Sequence, residues 1–590
     1  MMDRLDRPAL TLICALVAAL AAIAYSPKAQ ACGGLFCNNQ QTPVNQTAER
    51  IIFSKNDDGT VTAVVQIMYQ GPSDEFAWVL PVPGAPEVDV SSDVALNRLQ
   101  SATNPVYRLT TRVEGECESS GASIFPSDQA TGVTESANNA SIAPGQEEDD
   151  PVDVVSSGSI GPYNHTTISV EPDTPDPEDA AMEWLDTNGY NTTSLAPDLI
   201  RDYLDDGMNL LAVKLQKDSD SGNIRPIRIT YDSELPMIPI KLTAVAANDD
   251  MGVMVWVLGQ QRAIPTNYKT LELNQALINW FNPGATYNQI VNQAADEAGG
   301  QGFVTEFAGP VDEPIVNQGN ETDLEQTIFT LDEASDWGSI SGRSWEGREG
   351  QLLQESTAFS NWDGYVAVVS DHVPLPSGTT AENFAQCPGC TNLVNQRDIQ
   401  GFDPQTFIDQ LYQRVVGPME KTQDLVNAFP YMTRLYTTMS AGDMTLDPVF
   451  DFNAQLGDHP NIHDAERVIE CAGTRSRSES PWSVELTDGS GYVYGTGRTW
   501  PFSIDESGMP ATRRIVQHQS MGDGTVVENN APEIDDVVGE HNQEISNEFS
   551  GGLRTCSTGS GTPVAGVWVL LGLFGLRLFR RSPQPAPSKT

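Results

Sequence analysis

Positive charge is scarce in this sequence. Of 590 residues, 33 are Lys or Arg against 80 Asp or Glu, a net charge of −47. From 113 to 200 there is no Lys or Arg at all. A chain this acidic repels phosphate backbones, which excludes a nucleic-acid partner. Histidine is also scarce, with six residues. The short-spaced catalytic signatures are missing: no Gly-x-Ser-x-Gly elbow, no His-Glu-x-x-His pair, no phosphate loop ending in Gly-Lys-Ser/Thr. These absences set aside α/β-hydrolases, metalloproteases of that motif and P-loop nucleotide hydrolases. No repeat of solenoid or propeller period is present either.

Both ends carry targeting signals. Residues 1–31 read as a signal peptide: Arg4 and Arg7, diluted by Asp3 and Asp6, precede an apolar stretch over 9–25 and the small-residue site Ala29-Gln30-Ala31. Cleavage there leaves Cys32 first; acylation of Cys32 is disfavoured because no large aliphatic residue stands just before it. Near the other end, the apolar run 564–576 is followed by Arg577, Arg580 and Arg581. With Arg577 snorkelling, 563–581 reads as a single transmembrane anchor and 582–590 as a cytoplasmic tail. The expectation is an exported chain, membrane-anchored at its C-terminus in the cell envelope or at the cell surface.

The charge is uneven. Residues 118–178 hold Glu147-Glu148-Asp149-Asp150 among Ser, Pro, Gly and Asn, and read as an acidic, low-complexity, mobile insertion. Residues 520–562, with Glu528, Glu533, Asp535, Asp536, Glu540, Glu544 and Glu548, read as an acidic stalk and spacer. Such surfaces suit a saline habitat. Their oxygen ligands allow weak, diffuse Ca²⁺ binding; no other cofactor is implied.

Of eight cysteines, Cys14 leaves with the signal and Cys556 lies beside the anchor. Cys32, Cys37, Cys117, Cys387, Cys390 and Cys471 remain, an even set that in an exported chain reads as disulfides. Sequence alone does not choose their pairing; a small Cys32–Cys37 loop would leave Cys117 and Cys471 for a long-range staple. Cys387-Pro388-Gly389-Cys390 has the form of an exchange-active dithiol or half a zinc site. It follows no clear buried strand and has no second pair, so a structural disulfide is expected. The weak metal candidates are His459 and His463 beside Asp458 and Asp464, and Asp218 and Asp220, which resemble a calcium loop without its final Glu. A polar surface segment and a turn between strands are the simpler readings.

Strands are predicted at 50–54 and 61–69 around the hairpin signal Asn56-Asp57-Asp58-Gly59, then at 75–80 and 107–113. Helices are predicted at 177–185 and 197–204. Strands at 210–215, 224–231, 238–246 and 252–258, joined by short turns, predict an antiparallel sheet. Helices follow at 273–281, 287–297, 404–415 and 431–439, and a hairpin joins 482–486 to 492–494. The alternation of strand and helix blocks predicts an α+β fold: antiparallel sheets with helices in a disulfide-stapled ectodomain.

Two resemblances add to this. Arg554-Thr555-Cys556-Ser557, Pro563, the short Trp/Leu/Gly helix and the terminal arginines resemble the MYXO-CTERM sorting signal. That resemblance implies a sorting protease as partner and Cys556 as the processed, lipid-modified anchor residue. Cys32-Gly33-Gly34-Leu35-Phe36-Cys37, residues 46–53 and Phe76-Ala77-Trp78-Val79-Leu80-Pro81-Val82-Pro83-Gly84 resemble the DUF2330 family of exported bacterial proteins. So do Pro226-Ile227-Arg228-Ile229, Pro236-Met237-Ile238-Pro239-Ile240, Arg262-Ala263-Ile264-Pro265, Thr433-Arg434-Leu435-Tyr436-Thr437 and the stretch from Asp447 to Asn453. The implied layout has a first part of the family domain at 32–117, a second at 179–345 and a C-terminal α+β region at 346–519. The family implies no reaction. The expected function is a non-enzymatic binding or structural ectodomain with a protein or polysaccharide partner at the envelope. The alternative is a carboxylate-dependent hydrolase of envelope polymers, for which Asp447 and Asp451 are the first choices.

Overall fold

The computed structural model describes residues 45–70, 77–118, 151–190, 197–215, 224–312, 315–317 and 320–550. The signal peptide, Cys32, Cys37, Asp218, Asp220, Cys556 and the anchor helix lie outside them. No helix among the described residues is long and apolar enough to cross a membrane. The chain divides into a unit ending at Asn542 and a second from Gln543; the sheets and buried clusters belong to the first.

The fold is α+β, and its sheets are mixed as well as antiparallel. A ten-stranded sheet forms the spine. Its order is Thr525–Asn529, Thr512–Gln517, Lys269–Leu273, Gly302–Pro310, Tyr431–Met439, Ala247–Gly259, Asn45–Lys55, Thr60–Gln70, Ile227–Asp232, Glu87–Val90. The hairpin at Asn56–Gly59 forms as its sequence dictates: Gly59 takes φ +89°, and Asn56 N–H donates to the Thr60 carbonyl at 2.9 Å. Asn45–Lys55 runs parallel to Ala247–Gly259 and, with Thr60–Gln70, separates it from Ile227–Asp232, so the antiparallel sheet expected over 210–258 does not form. Asn209–Leu215 belongs to a separate four-stranded sheet with Ala77–Val82, Tyr163–Val170 and Val152–Ile160.

Both faces of the spine are covered, which is why its central strands carry apolar residues on both sides. On one face Ile51, Phe53, Val255 and Val257 pack against Trp78, Leu80, Ile168 and Leu211 of the four-stranded sheet. On the other, Ile52, Val64, Trp256 and Leu258 pack against helices, among them Asp93–Thr103, Glu349–Ser356, Tyr365–His372, Pro404–Leu411 and Gly417–Asn427. A third cluster gathers Trp280, Trp482, Trp500 and Ile534 beside a smaller sheet of Tyr492–Thr496, Pro481–Glu485, Ile462–Ser476 and Val106–Glu118. There Cys117 is joined to Cys471, linking parallel neighbours 354 residues apart in sequence.

Five expectations are corrected. Residues 431–439 form a central strand, not a helix; Thr433, Thr437 and Thr438 are β-branched, and both faces are packed. The 238–246 strand is a helical turn, Ile240–Thr243, entered from Pro239, which has no N–H for a ladder. The 273–281 helix is a run of turns, because Asn274 and Asn279 side chains accept from the backbone N–H two residues on, at 3.1 and 3.0 Å. Within the 118–178 insertion, Val152–Ile160 and Tyr163–Val170 form a hairpin with Tyr163 and Ile168 buried. Over 152–170 the one charged residue is Asp153 amid many β-branched residues, so average acidity misled. The part of the insertion over 119–150 lies outside the described residues. Finally, the 520–562 stalk begins as folded chain: Thr525–Asn529 is an edge strand, and Ala531–Ser550 is a helix that buries Ile534 and Val538, one turn apart.

Candidate functional site

A cleft of about 760 Å³ opens where the helix face of the spine meets the small sheet, within the usual size of ligand sites. Its floor is an ion pair. Arg434 extends from the central strand Tyr431–Met439, and its Nε lies 2.7 Å from Glu306 Oε2, with both side chains 2% exposed. The approach is angled, so the contact is ionic rather than a directed hydrogen bond. Glu306 reaches Arg434 because it is the extra residue of a β-bulge: Thr305 pairs with Leu435 and Phe307 with Arg434. A bulge turns one side chain out of register, here toward the guanidinium.

Arg434 also closes the end of the Asp93–Thr103 helix. Its Nη1 donates to Gln100 carbonyl and Thr103 Oγ1, both at 3.0 Å, and its Nη2 to Asn104 Oδ1 at 2.9 Å. A cation at a helix C-terminus is favourably placed. Trp256 lies under the guanidinium, 5.6 Å from ring centroid to carbon. Tyr287 donates to Glu306 Oε1 at 2.7 Å.

The polar groups of the walls are mainly amides and phenols, with Pro105, Val106, Met254 and Pro283 between them. Gln100, Ser101 and Asn104 come from the helix end, Asn288 and Tyr287 from the Tyr287–Glu297 helix, Tyr107 from the small sheet and Tyr436 from the spine. Burial first, then the neighbouring Glu306 charge, raise the phenols: Tyr436 is pushed up to about 12 and Tyr107 and Tyr287 beyond the usual range. All three stay neutral and keep their O–H. Tyr107 is braced from behind by His463, stacked at 4.5 Å.

Of the residues singled out from sequence, His459, His463, Asp458 and Asp464 are described, and they do not gather into one group; Asp218 and Asp220 lie outside the described residues. Burial lowers His459 to about 3 and His463 to about 4, so both rings are neutral. Their centroids are 6.1 Å apart, Asp464 is engaged by Arg108 at 2.6 Å, and Asp458 accepts from Tyr431 at 2.8 Å. No group of three metal-ligating side chains occurs among the described residues. Cys387 and Cys390 form a disulfide, exposed, at the C-terminal end of the Ala381–Gln386 helix. A helix C-terminus does not acidify a thiol. Asp447 accepts from Tyr203 at 2.9 Å and from Lys241 N–H at 3.1 Å, and burial raises its pKa. Asp451 accepts from Ser520 at 2.6 Å. Neither lines the cleft.

Residues 26–382 match the family described as "Uncharacterized protein conserved in bacteria (DUF2330)". The chain belongs to this family. No curated protein and no solved structure matches it. The DUF2330 match ends before Arg434 and Asp447, yet the Tyr431–Met439 strand holds the centre of the same sheet as the matched strands. Sequence reasoning passed over Glu306 and Arg434 as a pair. The signal in the sequence was a lone charge in each of two otherwise uncharged segments, Phe303–Ala308 and Met432–Tyr436.

Proposed function

We propose that this DUF2330 protein is a non-enzymatic binding protein of the cell envelope, whose cleft takes a saccharide segment of an envelope polymer. The observation that carries this is the lining: side-chain amides of Gln100, Asn104 and Asn288 and three neutral tyrosines surround a floor whose carboxylate is already matched by Arg434. Sugars offer hydroxyls that both donate and accept, and C–H faces that pack on rings. Amides and phenols answer both. The hydrolase reading has less support, since glycosidases need two carboxyls roughly 5–9 Å apart and Glu306 is the one carboxylate lining this cleft among the described residues. Export and surface anchorage through Cys556 belong to the same proposal and rest on the two terminal signals.

The test is calorimetric titration of the purified chain with peptidoglycan fragments and envelope polysaccharide, followed by product analysis. Saturable binding without cleavage is expected, weakened roughly tenfold in Asn288→Ala, the loss of about one hydrogen bond. Cleavage of the polymer, abolished by Asp447→Asn or Glu306→Gln, would overturn the non-enzymatic reading. A Cys556→Ala variant that still reaches the outer surface would overturn the anchoring.

A further inference from the structure

We propose that the space between the two sheets beside Glu49 is a second, separate binding site, for a short aliphatic molecule that presents one hydrogen-bond donor to the Glu49 carboxyl. Glu49 sits on the Asn45–Lys55 strand, on the same face as Ile51 and Phe53. It is 5% exposed, and its Oε2 is enclosed with no hydrogen-bond partner. The cavity it lines is about 70 Å³, walled by Phe53, Leu80, Val82 and Ile229. Half-buried Met208 and Leu235 line it as well.

A carboxyl in such surroundings is costly to retain unless something answers it. No cation among the described residues does so: Arg50, its neighbour, points to the opposite face and is committed to Gln66, Asn97 and Gln100. Burial alone raises the Glu49 pKa to about 7, so near neutrality the group exists in both forms. An apolar chain matches the walls, and a terminal donor at Glu49 would give Oε2 the partner it lacks. The size is bounded by proportion to the roughly 150 Å³ apolar cavity that takes six-carbon benzene; about three non-hydrogen atoms fit inside the 70 Å³, and four is about the upper limit. The five stretches that frame the cavity are residues 49–53, 63–65, 80–83, 229–239 and Met208. All lie within the part of the chain that matches the family.

Two ligand sources share this chemistry, a protonated primary amine and an alcohol. The experiment measures the melting temperature and binding heat of the full chain with propylamine, 1-propanol and 1-chloropropane, with tetramethylammonium as the ionic control. Saturable stabilisation by propylamine or 1-propanol, but by neither control, is expected. In Glu49→Leu it should weaken by at least roughly tenfold, the value of one hydrogen bond to a charged group. Glu49→Leu removes the buried carboxyl without leaving a hole, and Glu49→Gln serves as a second variant of near-identical shape. A propylamine response that grows from pH 6 to pH 8, as Glu49 ionises, identifies the amine; a 1-propanol response without that dependence identifies the alcohol. No saturable response to either, or a response unchanged in both variants, overturns the proposal. Neither result bears on saccharide binding at the Arg434 cleft.

Discussion

Replacing Arg434 by Met removes the cation that answers Glu306 and three further donations to the end of the Asp93–Thr103 helix. Both charges are 2% exposed, so water does not screen what is lost. Truncating one partner of a buried pair costs about 3–5 kcal/mol, mostly because the other charge is left alone. Glu306→Gln should cost less, since the guanidinium keeps its bonds to Gln100, Thr103 and Asn104. In the double variant Arg434→Met/Glu306→Gln no ion remains unmatched. Its cost should therefore fall short of the sum of the singles by about 1–3 kcal/mol, the coupling seen between contacting residues. Urea unfolding followed by tryptophan fluorescence gives all three values, and Trp256 reports directly because the guanidinium lies over its ring. If the single effects simply add, or if Arg434→Met costs under about 1 kcal/mol, a surface-like value, the pair does not hold the cleft floor.

Glu49 gives a pH dependence of definite sign. Its folded pKa is raised from 4.5 to about 7 by burial. Between those values the unfolded chain ionises while the folded chain does not, so stability falls as pH rises, by about 3 kcal/mol in all. Comparing melting temperatures at pH 5 and pH 8, that drop should shrink in Glu49→Leu; an equal drop in wild type and variant contradicts the assignment. Cys117→Ser/Cys471→Ser opens a link across 354 residues and should cost about 2–5 kcal/mol. Cys387→Ser/Cys390→Ser opens a three-residue separation and should change the melting temperature far less. Ile534→Ala, at a site with no exposure, should cost about 2–5 kcal/mol. A null effect would return residues 531–550 to the role of a free stalk.

Where local chemistry and tertiary context agree, the sequence was legible. The Asn56–Gly59 hairpin, the strand that follows it through Ala63–Ile67 and the turn at Asp488–Gly491 each carry their own local signal, and all form. Reading failed where packing decides. In Tyr431–Met439 the positions Met432, Leu435, Tyr436 and Met439 have helical spacing, but both faces of the segment are covered, which only the neighbouring strands determine. The helices over 331–386 left little trace because they are under twelve residues and marked mainly by caps, such as Thr330 with Glu333, which Arg98 then binds at 2.7 Å. The candidate cleft is half legible: Arg434 and Tyr436 lie in a stretch that resembles the DUF2330 family, while Glu306 depends on a bulge that no local pattern signals.

The acidity of the chain sharpens the meaning of its interior. Among the described residues two acidic side chains are fully buried, Glu49 and Glu306; Asp93 and Asp447 are partly buried, which raises both, and most of the remaining described carboxylates face solvent. The acidity of the described residues is therefore mostly a property of the surface, and its effect weakens with salt. The two exceptions resist that explanation, because a buried carboxylate is destabilising unless matched. One is matched, by Arg434, and forms the floor of the larger cleft. The other is unmatched and lines the smaller cavity. Perturbed or enclosed ionisable groups in concave sites are where binding is expected. The two fully buried acids among the described residues thus mark the two candidate sites, on opposite faces of one sheet, and Glu49 and Arg50, adjacent on a single strand, point one to each face.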